Sequence, residues 1–322
     1  MGRVGEYMRV FLLGLLFVAS AFVLGACGGD SSEEPVRFGM VDWPEAIAKT
    51  YVSSTVVDAL GYQTEVSEVS VPLVFKGLEE GDLDVFVEAW FPTMQTNMDA
   101  IDQDDVQSVV TNLPEATFSV AVNREAYDAG VRSQANLNEF ADRFEEGGQP
   151  TIYGIEPGND GNDVVLDAIE NNTYDLGNWA LVESSVNGML GEVDRRTEDG
   201  DWVAFIGWEP HWMNNRYDMV LLDDPQNIWG NPSHVETLVN VDFPERYPEL
   251  MRFFEQMVVN GDIQADLIDR VDNSGKEPEA IALDWLRENP DVTDQWLEGV
   301  TAADGTDGRE ALRSYLDERS SS

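Results

Sequence analysis

Three tryptophans, Trp43, Trp90 and Trp208, each stand at the end of a short apolar run, and each has a carboxylate within two residues. The face of an indole ring is electron-rich, so such a set suits a cation that has no hydrogen to donate. A quaternary ammonium group is a cation of this kind. Directed hydrogen bonds cannot hold it, whereas each ring contributes about 0.5–2 kcal/mol, so that three or four together reach micromolar binding. Asn159 ends a fourth apolar run, in Glu156-Pro157-Gly158-Asn159-Asp160-Gly161-Asn162, just ahead of a helix start that could offer backbone N–H groups. His211 follows Trp208 in Gly207-Trp208-Glu209-Pro210-His211-Trp212 and could supply a further donor.

These residues need elements that bring them to one place. From Val36 the chain alternates apolar runs with amphipathic stretches, the pattern of an α/β protein. Strands are expected at 36–41, 63–69, 84–90, 117–122, 151–155, 202–208 and 219–222. Helices are expected at 44–60, closed by Gly61, at 72–80, at 136–146 and from 163, with helices dominating after residue 222, among them 248–260, 280–288 and 309–318. In α/β sheets ligands bind at the carboxyl ends of strands, which is where the three tryptophans and Asn159 fall.

Composition narrows the partner. With 62 Asp plus Glu against 19 Lys plus Arg, the net charge of −43 excludes nucleic acid and disfavours phosphates. The acids are spread along the chain, as on a surface adapted to concentrated salt, so no lone carboxylate identifies a site.

The N-terminus combines Arg3 and Arg9, an apolar run from Val10 to Leu24, and the sequence Leu24-Gly25-Ala26-Cys27. This describes an export signal over 1–26, too short for a comfortable membrane span. Leu-Gly-Ala-Cys resembles the lipobox of bacterial lipoproteins, which implies cleavage before Cys27, lipidation of Cys27 and a tether over 27–35. Cys27 is the single cysteine, so no internal disulfide is available.

The body from about Val36 to beyond Trp285 resembles the quaternary-ammonium-binding proteins of ABC importers, and most of all the choline binders. The resemblance rests on Trp43, on Asp84-Val85-Phe86 with Trp90, on Tyr153-Gly154-Ile155-Glu156-Pro157-Gly158-Asn159-Asp160-Gly161-Asn162, and on Gly207-Trp208-Glu209-Pro210-His211-Trp212. It implies a two-lobed periplasmic-binding-protein fold of type II, with the ligand in the interlobe cleft. The lobes expected are 36–115 with 216–322, and 116–215. It also implies an aromatic box of Trp43, Trp90, Trp208 and Phe118, with Glu45 and Asn159 meeting the choline hydroxyl. Two positions depart from the family pattern, Phe118 replacing tyrosine and Glu45 replacing aspartate.

A carboxylate beside the pocket favours choline over glycine betaine, whose own carboxylate it repels. The expected role is capture by closure and delivery to an ABC permease, by an exported, lipid-anchored monomer at the outer face of the cytoplasmic membrane or in the periplasm. No cofactor or metal is expected, and no phosphate loop of the Walker type occurs, so the ATPase would be another chain.

Two other classes compete. An exported carbohydrate-active enzyme could use tryptophan platforms and a carboxylate pair such as Glu88 and Glu209. A calcium-dependent adhesin could use acidic runs such as 102–105 and 303–307, though none has the spacing of an EF-hand loop. Zinc-protease and nucleophile-elbow motifs do not occur.

Overall fold

The computed structural model describes residues 34–230 and 232–320. The expected signal segment 1–26, Cys27 and the tether up to residue 33 lie outside the described residues.

Ten strands form the framework: β1 Val36–Met40, β2 Thr64–Glu68, β3 Val85–Phe91, β4 Val106–Asn123, β5 Glu145–Glu146, β6 Gln149–Tyr153, β7 Ala180–Val182, β8 Ala204–Glu209, β9 Met219–Leu221 and β10 Ser233–Asn240. Their order is β2-β1-β3-β10-β4-β8-β6-β5, with β7 on β6 and β9 on β4. β1 lies parallel to β2 and β3, and β6 parallel to β7 and β8, each set linked through helices as parallel strands require.

β4 joins the two sets. Its residues from Val106 to Ala116 pair with β10, whereas Thr117 to Val122 pair with β8, so the chain changes neighbours between Ala116 and Thr117. The first half of β4 departs from expectation, because Pro114 cannot donate to a ladder and reads as a break. The ladder absorbs it at a register shift between the pairs Ser233↔Ala116 and Val235↔Leu113. β10 is a second departure, a central strand within the stretch expected to be largely helical. β9, beyond the expected boundary at 215, is bonded to the second half of β4 through Ala121 to Asn123.

The helix expected over 136–146 is short. Ser133 caps a turn at Gln134–Leu137, its hydroxyl accepting from the Ala135 N–H, and a 3-10 segment Asn138–Arg143 breaks at Phe140. The chain then enters a β5–β6 hairpin whose turn is Gly147-Gly148, both at positive φ, a conformation that glycine adopts without a Cβ penalty. Elsewhere the expected helices form, at Pro44–Ala59, Val71–Glu80, Pro248–Gln256, Pro278–Glu288 and Gly308–Arg319. One continuous apolar core runs under both strand sets, from Val36 and Phe38 to Ile152, Phe205 and Ile206.

Candidate functional site

A small cavity is lined by Trp43, Glu45, Trp90, Met94, Phe118, Ile155, Asn159, Asp160 and Trp208. Six of the seven residues singled out in the sequence meet here. The first four lie before the β4 crossover and the last five after it, so the cavity sits between the two strand sets.

Trp43 leaves β1 in extended conformation and caps the helix Pro44–Ala59. Pro44 enforces this, because its ring disfavours helical angles in the residue before it. Trp90 lies in β3, and its indole N–H donates to Glu88 Oε1 at 3.0 Å. Phe118 of β4 and Trp208 of β8 are direct cross-strand partners, with ring centroids 5.9 Å apart and planes at 88°. Phe118 also approaches Trp90 at 5.9 Å and Trp229 at 5.1 Å. Four rings thus come from four separate segments, and all are buried.

Gly161 explains how Phe118 fits. A Cβ at residue 161 would lie 2.5 Å from the Phe118 ring, closer than real contacts allow, so the helix N-terminus can press on the ring only because glycine stands there.

Glu45 sits in the first turn of the Pro44–Ala59 helix, where the helix dipole favours an ionised carboxylate. Burial and the neighbouring Glu88 outweigh this, pushing its pKa up to about 8, while Lys49 offsets only part of the rise. Lys49 stands one turn on but is engaged by Glu88 through a buried ion pair, and its ammonium donates to Asn112 Oδ1 at 3.0 Å. Glu45 Oε2 has no protein partner. Asp160 has a buried, unpartnered Oδ2, and burial raises its pKa to about 6 while Thr93 offsets part of the rise.

Asn159 has a structural task besides lining the cavity. It caps the helix Asp160–Glu170, its Oδ1 accepting from the Gly161 N–H at 2.7 Å and its Nδ2 donating to Glu156 Oε1 at 2.8 Å. One amide hydrogen and one acceptor site remain for a ligand.

His211 is not among the lining residues. Its ring packs edge-on against Trp208 at 5.1 Å, and its Nδ1 accepts from the Met213 N–H at 3.1 Å. Burial lowers its pKa to about 3, so it is neutral at physiological pH and acts as a buttress to Trp208.

Met94, Ile155, Asp160, Glu156 and Trp229 join the site or its support without a signal in the sequence. Asp160 and Glu156 lie in the quoted loop, but the acidic background hides them. Trp229 carries no pattern of its own, since its role appears only when it stacks behind Phe118 with its N–H on Gln134 Oε1 at 3.1 Å. The carboxylate pair of the glycosidase reading does not assemble either, because Glu88 is buried against Lys49 while Glu209 is exposed. Among the described residues no cluster of metal ligands occurs.

Residues 34–288 match the family described as the substrate binding domain of the ABC-type glycine betaine transport system. An uncharacterized protein of Chromohalobacter salexigens is 40% identical over 153 residues, covering 47% of this chain and 95% of that protein. The glycine betaine/carnitine transport binding protein of Listeria monocytogenes is 31% identical over 155 residues, 48% of this chain and about half, 51%, of its own length. Among solved structures, an ABC-transporter choline binding protein in complex with choline has a TM-score of 0.83 and 34% identity, covering 88% of this chain and 98% of that one. Lactococcal OpuAC, closed on glycine betaine, has a TM-score of 0.72 and 25% identity, covering 82% of this chain and 99% of its own. The fold is the two-lobed, type II binding-protein fold.

Proposed function

Because this chain belongs to the substrate-binding domains of ABC-type glycine betaine transport systems and is no enzyme, we propose that it captures a quaternary ammonium cation, choline foremost, in the ring-lined cavity and delivers it to a membrane permease. The observation that carries this reading is the composition of the cavity wall: four aromatic rings, two buried carboxyl groups and no lysine, arginine or histidine. Rings serve the trimethylammonium end. At the other end, a hydroxyl can donate to Glu45 or Asp160 and accept from the free Asn159 amide hydrogen, whereas the carboxylate of glycine betaine meets no cationic donor in the wall and can be accepted only while Glu45 and Asp160 stay protonated. Similarity to the choline-bound structure over 88% of the chain supports the same order of preference.

Closure follows from the division of the cavity. We place the first lobe at 36–116 with 233 onward and the second at 117–230, so a ligand touching Trp43 and Trp90 on one side and Phe118, Asn159 and Trp208 on the other stabilises the closed form. The segment 1–26 and Cys27 fit export and a lipid anchor that would hold a monomer at the outer face of the cytoplasmic membrane or in the periplasm, and the acid-rich composition fits concentrated salt.

Titration calorimetry with choline, glycine betaine, carnitine and a panel of oligosaccharides tests the proposal. Choline is expected to bind tightest and the sugars not at all. Silence toward every quaternary amine defeats it.

A further inference from the structure

We infer that Glu156 is a latch that ties the ring cage to lobe closure, a positioning residue that sets how long a captured ligand stays. The inference rests on the functional reading above. A single oxygen, Glu156 Oε1, accepts from two sides: from the Trp43 indole N–H at 2.8 Å and from Asn159 Nδ2 at 2.8 Å. Trp43 precedes the β4 crossover and Glu156 follows it, so the first of these bonds spans the two lobes and can exist only when they are together.

The loop that carries Glu156 is fixed to its own lobe. Asn162 Oδ1 accepts from the Ile155 N–H at 3.0 Å, and its Nδ2 donates to the carbonyls of Ile155 at 3.0 Å and Glu156 at 2.9 Å. Glu156 is therefore a fixed acceptor waiting for a moving donor. Trp43 lines the cavity while its N–H is held from the far lobe, so the bond that closes the lobes also sets the plane of a cage wall. A second indole spans the crossover in the same manner, Trp212 donating to Asp272 on the Gly261–Asn273 helix. There the ring stands outside the cavity, so that bond closes without shaping the cage.

The latch acts after encounter. Its loss should therefore raise the dissociation rate and leave the association rate unchanged. A hydrogen bond to a charged acceptor that is only partly buried is worth about a tenfold change in rate. In Glu156→Ala choline should dissociate about tenfold faster in stopped-flow fluorescence, with association within about twofold, and Glu156→Gln, which keeps an uncharged oxygen acceptor, should recover part of the difference.

Dyes on Glu65→Cys and Glu198→Cys in a Cys27→Ser background, one exposed position on each side of the crossover, report the closed fraction by energy transfer with and without ligand. The closed fraction should fall in Glu156→Ala. Wild-type dissociation together with a wild-type closed fraction in that variant overturns the latch, as does a loss shared by both rate constants with a lowered melting temperature, which marks a purely structural role. A wild-type protein that binds no quaternary amine refutes the functional reading alone, because the closed fraction still decides the latch.

Discussion

Choline binding should be coupled to proton release from Glu45. In the unliganded cavity burial and Glu88 hold this carboxyl near pKa 8, so at pH 7 only about one molecule in eleven carries it ionised. A cation settling beside it favours the charged form and returns its pKa toward the ordinary carboxylate range. Affinity should then climb about tenfold from pH 6 to 7 and about fivefold from pH 7 to 8, with up to about 0.9 proton released per ligand at pH 7. The other charges acting on Glu45 are Glu88, Lys49 and Asp272, which set the midpoint without changing the sign. Asp160, near 6, adds to the slope chiefly below pH 7, so the interval from 7 to 8 isolates Glu45. The stability of the unliganded protein follows the opposite course. A carboxyl whose pKa is raised by folding contributes stability that is fully present below its unfolded value of 4.5 and is lost as pH rises through about 8. Calorimetry in two buffers of different ionisation enthalpy measures the proton directly, and Glu45→Gln should abolish both the release and the steep pH dependence. Glycine betaine, whose carboxylate gains from a neutral Glu45, should show no such rise. A choline affinity that is flat from pH 7 to 8, or proton uptake on binding, would falsify the assignment of Glu45 to the ligand.

Two further outcomes test the cage. Trp208→Ala removes one desolvated ring and should weaken choline by about thirtyfold, the equivalent of about 2 kcal/mol, in a protein that keeps its fold by circular dichroism; undiminished affinity would remove Trp208 from the site. Gly161→Ala drives a methyl into the Phe118 ring, which Trp90, Trp208 and Trp229 prevent from swinging aside. About 1–3 kcal/mol of stability and at least tenfold in affinity should be lost, measured by denaturant unfolding and calorimetry, and a silent substitution would mean that Phe118 is not a fixed wall.

What the sequence revealed and what it concealed divide along physical lines. Strands with an unbroken apolar run, such as β3 and β8, announce themselves, and so do helices with a proline start or a glycine stop, such as Pro44–Ala59 before Gly61. β10 and the first half of β4 do not, because Pro114 and the polar residues between their apolar positions break the alternation that marks a strand, and only the pairing of the two explains either. At the site, tryptophan is rare enough to be conspicuous, and three of the four rings could be found by type and position. Acid is so common here that Asp160 and Glu156 carry no signal until their burial and their partners are seen. Asn159 was visible as a loop residue, yet its helix cap and its bond to Glu156 depend on contacts that spacing does not encode.

The placement of carboxylates around the tryptophans shows how a cation site can be both negative and dry. Two of the three cage indoles donate their N–H to a carboxylate, Trp43 to Glu156 and Trp90 to Glu88, so negative charge stands behind the rings rather than against the ligand. An acceptor oxygen on the N–H polarises the indole and makes its face more negative, which would strengthen the attraction for a trimethylammonium group. Glu88 also takes the buried Lys49, which keeps that ammonium from approaching the cavity and leaves Glu45 without a cationic partner of its own. On the proposed reading, Glu45 is mostly neutral at pH 7 in the unliganded protein and becomes the counter-ion of an entering cation. A surface carboxylate could not behave in this way, because water would keep it ionised at pH 7 and salt would screen it. Among the 62 acids of this chain, Glu45 and Asp160, the two proposed to meet the ligand, are marked by burial and by an unpartnered oxygen, and not by their charge.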